Sequence, residues 1–470
     1  MSRIGVFGAG TWGIALARML RGNSNEVTVW SAHRETVDNL RETRRQKNLP
    51  NVVLPEGLIY TTDIEETCRD QEIIVIAVPS IYVRETVRKA APCVTGKQIV
   101  VDVAKGIEAG TLMTMSEIIN EEIGKVHGEN YCPVVTLSGP THAEEVAAEL
   151  PSTIVAASRD AEAARRIQDV FTSEYMRVYT NDDIKGVEIC GALKNVIALA
   201  SGISAGLGYG DNARAALITR GMVEIVRLGD KLGCHKDTFY GLAGIGDLIV
   251  TATSHHSRNN RCGYYIGQGY SVEDAVKQVG MVVEGINTID AAITLSRQLD
   301  VDMPIVKGVD QIVNHGADPS EIVRRLMNRD RKSELPKPLF DLNYERIEDP
   351  HPSALTKDSR IVGIYGDFDL PDFRTINFLR RSRMLGDWLI AFVCSDEYQA
   401  EGGREKCVLS SPERRELLRS IVYVDEVVSV SSPEELKEQL DSRNVSMIAR
   451  RQGESEPADT GRQTVHVPAN

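Results

Sequence analysis

Residues 3–20 read Arg3-Ile4-Gly5-Val6-Phe7-Gly8-Ala9-Gly10-Thr11-Trp12-Gly13-Ile14-Ala15-Leu16-Ala17-Arg18-Met19-Leu20. The apolar run Ile4–Phe7 has strand length, and Ile14–Leu20 has helical apolar spacing. Three glycines in the pattern G-x-G-x-x-G turn one into the other. Working outward, further strand candidates follow at Val27–Trp30, Ile73–Val78, Ile99–Val103, Val134–Leu137 and Thr153–Ala157. They lack polar alternation, as strands do when helices cover both faces of a sheet. Alternating β and α units of this kind predict a parallel, doubly wound α/β sheet over residues 1–183.

In that setting the glycines acquire roles. Gly8 permits the tight turn, Gly10 lets a pyrophosphate approach the backbone, and Gly13 lets helix pack on strand. The helix N-terminus then offers free N–H groups to phosphate. In this context the motif predicts a Rossmann-type dinucleotide site, the alternative being a plain tight strand–helix turn. The second strand ends at Trp30, where an NAD enzyme usually carries an acid, yet Ser31, His33 and Arg34 follow. Two cations without a carboxylate lean toward NADPH over NADH. The alternative is that His33 and Arg34 lie on a solvated loop.

The texture changes after Asp182. Residues 184–335 read as successive helices, with an apolar stripe at Leu193, Val196, Ile197 and Ala200 and another at Ile218, Met222, Ile225 and Val226. Between them Gly202, Gly206, Gly208 and Gly210 suggest a loop, with Asp211 capping the next helix. Proline and charge mark 336–357 as a linker. A third α/β pattern runs over 358–452, and 453–470 reads as a disordered tail.

Composition bounds the rest. The 470 residues suit about three domains. With 54 Lys+Arg against 67 Asp+Glu the net charge is −13, which disfavours nucleic acid as a partner while leaving room for a local anion site. No apolar run reaches membrane-span length, and a strand begins at once, leaving no room for a signal peptide; the expected compartment is cytoplasmic. Eight scattered cysteines without C-x-x-C spacing read as reduced thiols, and no metal is expected.

Three clusters carry chemistry. Lys194 has no carboxylate among its helical neighbours Cys190, Gly191, Ile197 and Ala198, so desolvation should lower its pKa toward that of a general acid/base. Taken alone, such a lysine more often snorkels at a helix edge. Asn195 beside it can hydrogen-bond a substrate oxygen. Ser138-Gly139-Pro140-Thr141-His142 turns a strand into a helix N-terminus. Gly244-Ile245-Gly246-Asp247 and Ser257-Arg258-Asn259-Asn260-Arg261 join flexible backbone to one carboxylate and two guanidinium groups, a fit for phosphate. The adjacent His255 and His256 read as exposed.

Together with Ala192-Leu193-Lys194-Asn195, Ala143-x-Glu145-Val146-Ala147 and Val282-Val283-Glu284-Gly285, these motifs resemble the bacterial NAD(P)-dependent glycerol-3-phosphate dehydrogenases over residues 1–335. The resemblance implies reduction of dihydroxyacetone phosphate to sn-glycerol 3-phosphate for phospholipid synthesis, with Lys194 as proton donor and acceptor. It implies Lys105, Gly139, Thr141, Asn195, Asp247, Ser257, Arg258 and Asn259 around the substrate. Thr11, Trp12, His33, Arg34, Lys105, Ala143, Arg258, Val282 and Glu284 match cofactor-side positions. A homodimer is a further implication.

Residues 360–450 resemble another family, the glycerol-3-phosphate cytidylyltransferases of the nucleotidyltransferase fold. The carriers are Ile364-Tyr365-Gly366-Asp367-Phe368-Asp369-Leu370, Leu385-Gly386-Asp387-Trp388, Ser395-Asp396-Glu397, Glu413-Arg414-Arg415 and Tyr423-Val424-Asp425-Glu426. That family carries H-x-G-H shortly after its G-x-F-D; here Asp372-Phe373-Arg374-Thr375 has neither histidine, and Asp372 would repel a triphosphate. The R-T-x-G-I-S-T segment is also missing. The domain is therefore expected to be inactive. Two other readings stand beside this one: a bifunctional enzyme making CDP-glycerol, and a nucleotide-binding regulatory protein.

Overall fold

The structure is a computed structural model and describes residues 1–329, 359–401, 407–451 and 460–467. The chain divides into two compact units, 1–330 and 331–470. The expected linker at 336–357 lies outside the described residues.

The first unit carries an eight-stranded sheet. Its strands are β1 (Arg3–Phe7), β2 (Glu26–Trp30), β3 (Leu58–Thr61), β4 (Ile73–Ile76), β5 (Ile99–Asp102), β6 (Val134–Ser138), β7 (Ser152–Ala157) and β8 (Met176–Asn181). Their spatial order is β3-β2-β1-β4-β5-β6-β7-β8, and every neighbouring pair is parallel except β6 with β7. The order reverses between β1 and β4, so the crevice for a ligand opens there, at the carboxyl ends of the strands. Apolar clusters fill both faces of the sheet. β3 and β8, absent from the sequence reading, are the two edges.

After Asn181 the chain enters a 23-residue helix, Ile184–Gly206, around which the remaining helices pack. Three glycine-mediated close approaches fix its crossing with the helix Arg258–Gly267. A Cβ at Gly202 would collide with Asn260 O, one at Gly206 with Tyr264 O, and one at Gly263 with Leu199 O. The predicted loop at 202–210 is thus shorter than read: Gly202 and Gly206 are helical, and Gly210, not Asp211, caps the helix Asp211–Lys231. Glycine here serves packing and not chain reversal. The same central helix is long and apolar enough to cross a membrane by length and composition, but it lies inside the protein.

The second unit is a five-stranded parallel sheet of order β11-β10-β9-β12-β13. The strands are β9 (Ile361–Gly366), β10 (Trp388–Cys394), β11 (Glu426–Val430), β12 (Met447–Arg451) and β13 (Gln463–Val467), with apolar clusters on both faces. β13 corrects the tail: residues 463–467 pair with β12 in parallel, and Val467 is buried in the core. Polar composition concealed it because most side chains of an edge strand face water.

Candidate active site

The cofactor end follows from the opening stretch. Gly8 has φ +132, and a Cβ there would press on Ala77 O. At Gly13 a Cβ would strike Gly8 O, whereas at Gly10 nothing lies within 4 Å. The backbone is packed at two glycines and open at the third, which is where a pyrophosphate needs access. The helix Thr11–Gly22 starts at Gly10 with no side-chain cap, so its first N–H groups remain available. Ser31 is buried and accepts from His33 N at 3.2 Å. His33 is the N-cap of the helix Arg34–Thr43, and exposed Arg34 is steadied by Asp38 one turn on, at 3.2 Å.

From Gly10, Thr11 and Trp12 a cavity of about 350 Å³ runs to Lys105, Lys194 and Arg258. Thr141, Ala143, Asn195, Ser257, Asn259, Val282 and Glu284 line it as well. Gly139 and Asp247 stand behind the wall and bind lining residues, while His33 and Arg34 lie outside, at the end of β2. The cavity therefore joins the nucleotide turn to the cluster around Lys194.

Lys194 is 5% exposed on the central helix. It is not unpaired, as its helical neighbours suggested. Its Nζ donates to Asp247 Oδ1 and, at 2.6 Å, to Thr251 Oγ1. Asp247 Oδ2 accepts from Lys105 Nζ at 2.6 Å, and Lys105 also reaches Gly139 O at 3.2 Å. One buried carboxylate thus holds two ammonium groups. Burial pushes the Lys194 ammonium down to about 7; Asp247 opposes this and Lys105 assists it. Burial would raise the Asp247 carboxyl, but the two lysines outweigh it and hold the group below the usual range.

Thr251 is a site residue the sequence reading missed. It sits four residues after Asp247 on the helix Asp247–Thr253, hence on the same face, so the D-x-x-x-T spacing was the available signal. The Gly244–Asp247 segment is less flexible than read, since residues Leu242–Gly246 form a π-helical turn that delivers Asp247 buried. Likewise Ser257 is an N-cap, its hydroxyl accepting from Asn260 N at 3.2 Å. Asn259 bridges elements, donating to Asn195 Oδ1 at 2.9 Å and accepting from Gly285 N at 2.8 Å. Arg258 donates to Val282 O at 3.3 Å, and burial lowers its pKa against the pull of Glu284. Glu284 in turn accepts from Ser80 N at 3.0 Å.

Comparison with known proteins now decides the family. Residues 3–164 match the family described as NAD-dependent glycerol-3-phosphate dehydrogenase N-terminus, and residues 183–324 match its C-terminus. A glycerol-3-phosphate dehydrogenase [NAD(P)+] of Lactobacillus delbrueckii subsp. bulgaricus is 59% identical over 337 residues, covering 72% of this chain and all of that protein. The chain belongs to the glycerol-3-phosphate dehydrogenase family. A family member from Bacillus subtilis is 48% identical over 336 residues, 71% of this chain and 96% of its own length. The crystal structure of the family's enzyme from Coxiella burnetii superimposes with a TM-score of 0.67 at 35% identity, over 70% of this chain and 99% of that one.

The second unit matches a different family, described as cytidylyltransferase-like, over residues 364–454. The residues singled out there make local contacts. Asp372 caps the helix Phe373–Arg383, accepting from Thr375 N at 2.8 Å and Thr375 Oγ1 at 2.9 Å. Its carboxylate is thus a structural cap. Asp369 accepts from Val408 N at 2.7 Å and Leu409 N at 3.0 Å. Buried Arg414 binds Asp396 and the carbonyls of Asp367, Cys394 and Leu409.

Proposed function

We propose that the first unit reduces dihydroxyacetone phosphate to sn-glycerol 3-phosphate with NAD(P)H, in reversible hydride transfer that supplies glycerophospholipid synthesis. The observation that carries this reading is Lys194: a buried ammonium with its pKa near neutrality, at one end of a cavity whose other end is a phosphate-binding turn. The nicotinamide, when bound, supplies the hydride to the substrate C2. Gly10, Thr11 and Trp12 would hold the cofactor's pyrophosphate, on a turn that Gly8 and Gly13 let pack closely, and Ala143, Val282 and Glu284 lie along the same cavity.

Lys194 delivers a proton to the oxygen at C2 and takes it back in the reverse reaction. Asp247 and Thr251 aim its Nζ, and Lys105 keeps its proton labile by repulsion. Arg258, Ser257 and Asn259 hold the substrate phosphate, with Gly139, Thr141 and Asn195 around the carbon chain, so remote binding energy becomes orientation at C2. His33 and Arg34, without a carboxylate at the end of β2, favour NADPH. The second unit is catalytically silent: where the transferase resemblance requires H-x-G-H, Asp372 closes the helix terminus. We read the enzyme as a cytoplasmic homodimer acting on small molecules, on the strength of the family resemblance, while the net charge of −13 argues against nucleic acid as a partner.

The test is a nicotinamide absorbance assay of the full chain. Oxidation of NADPH should follow addition of dihydroxyacetone phosphate but not of dihydroxyacetone lacking its phosphate. Equal rates with both would remove Arg258 from the assigned role.

A further inference from the structure

Beside the Lys194 cluster lies a group of buried polar side chains with no part in the proton transfer. Asp102, the last residue of β5, is 0% exposed. It is in register with Thr136 of β6, and Ser138 follows on the same face. Asp102 Oδ2, Thr136 Oγ1 and Ser138 Oγ are all buried without a hydrogen-bond partner among the described residues. The central helix roofs them. A Cβ at Gly191 would stand 3.2 Å from Ser138 Oγ and 3.5 Å from Lys105 Cγ. One turn earlier, Glu188 accepts from Thr114 Oγ1 at 2.7 Å and from Ser116 N at 2.7 Å. The other oxygen of Asp102, Oδ1, accepts from Ala104 N at 3.0 Å, immediately before Lys105.

We propose that Asp102 is a positioning residue for the dehydrogenase reaction: its Oδ1 fixes the turn that sends Lys105 past Gly191 to Asp247, and so sets the charge balance at Lys194. The proposal rests on Lys194 being the proton donor. A turn could be held by a cheaper group, since a buried carboxyl with an unpartnered oxygen costs stability. Such costs gather at functional sites. Burial, with Glu188 adding to it, holds the Asp102 carboxyl well above the usual range, and burial also raises Glu188 to about 7. An amide keeps the oxygen that accepts from Ala104 N, so asparagine is a fair substitute at this position.

The experiment compares full-length wild type, Asp102→Asn and Asp102→Leu, each also in a Lys105→Met background. The readouts are kcat, KM for dihydroxyacetone phosphate and KM for NADPH. The leucine variant should lose about tenfold in kcat with KM for NADPH unchanged, while the asparagine variant stays within about threefold of wild type. In the Lys105→Met background Asp102→Leu should cost nothing more, because both changes act through one group. A leucine variant as active as wild type, an equal loss in the Lys105→Met background, or a tenfold loss in Asp102→Asn would each overturn the proposal. Asp102→Asn is isosteric, so its result stands even if the leucine variant does not fold. The wild-type rate tests the reaction itself; the ratios between variants test Asp102.

Discussion

Lys194 illustrates what a single residue carries and what its sequence neighbourhood conceals. Its i±3 and i±4 neighbours pointed to a desolvated ammonium, and burial does lower its pKa to about 7. Its partners Asp247 and Thr251 come from another helix 53 and 57 residues on, beyond any local reading. The pH dependence follows with opposite signs for the two directions. Reduction needs Lys194 protonated, so its rate should fall as pH rises through about 7; oxidation needs it neutral and should gain over the same interval. Parallel limbs in both directions would contradict the assignment. Asp247→Asn removes the group that opposes proton loss, so the reductive limb should move to lower pH; steady-state pH profiles read this directly. At the cofactor end, Arg34→Ala should raise KM for NADPH about tenfold and leave KM for NADH nearly unchanged, a cost of roughly 1.4 kcal/mol. Equal effects on both cofactors would leave Arg34 a solvated helix residue without a part in cofactor choice.

At the scale of elements, the crossing of the central helix with Arg258–Gly267 places Asn259 against Asn195. The crossing depends on Gly202, Gly206 and Gly263, because a side chain at any of them meets opposing backbone. Gly202→Ala should cost about 1–3 kcal/mol by overpacking. It should also raise KM for dihydroxyacetone phosphate more than KM for NADPH, since the nucleotide turn lies on other elements. Thermal unfolding and kinetics together check this, and unchanged kinetics with lowered stability would confine Gly202 to packing. The glycines were read as a loop because a single strand of sequence does not reveal which helix will lie across them. β3 and β8 escaped for a related reason. As edges they mix exposed and buried residues, such as Ile59 beside Leu58 and Tyr60, and lack the continuous apolar run that marked the central strands.

For the whole molecule, the two units have separate apolar clusters with no residue in common. The relatives of the first unit match over 71–72% of this chain and nearly their full length, so that unit contains a complete dehydrogenase. A chain ending at residue 335 should keep the kcat of the full chain within about twofold. The full chain given CTP and glycerol 3-phosphate should release no CDP-glycerol; appearance of that product would restore the bifunctional reading. The order of the units was legible from two sets of motifs, and the missing histidines after Phe368-Asp369 were plain in the residues themselves. What the residues could not reveal is that Asp372 does helix-capping work, since capping depends on where the helix begins.

The decisive assignment is Lys194 as the group that moves the proton during reduction of dihydroxyacetone phosphate. Its most direct test is NADPH oxidation by full-length Lys194→Met beside wild type, with NADPH binding measured by fluorescence in both. Turnover should fall about 10²- to 10⁴-fold with NADPH affinity unchanged; turnover retained at the wild-type rate would rule out Lys194 as the proton donor.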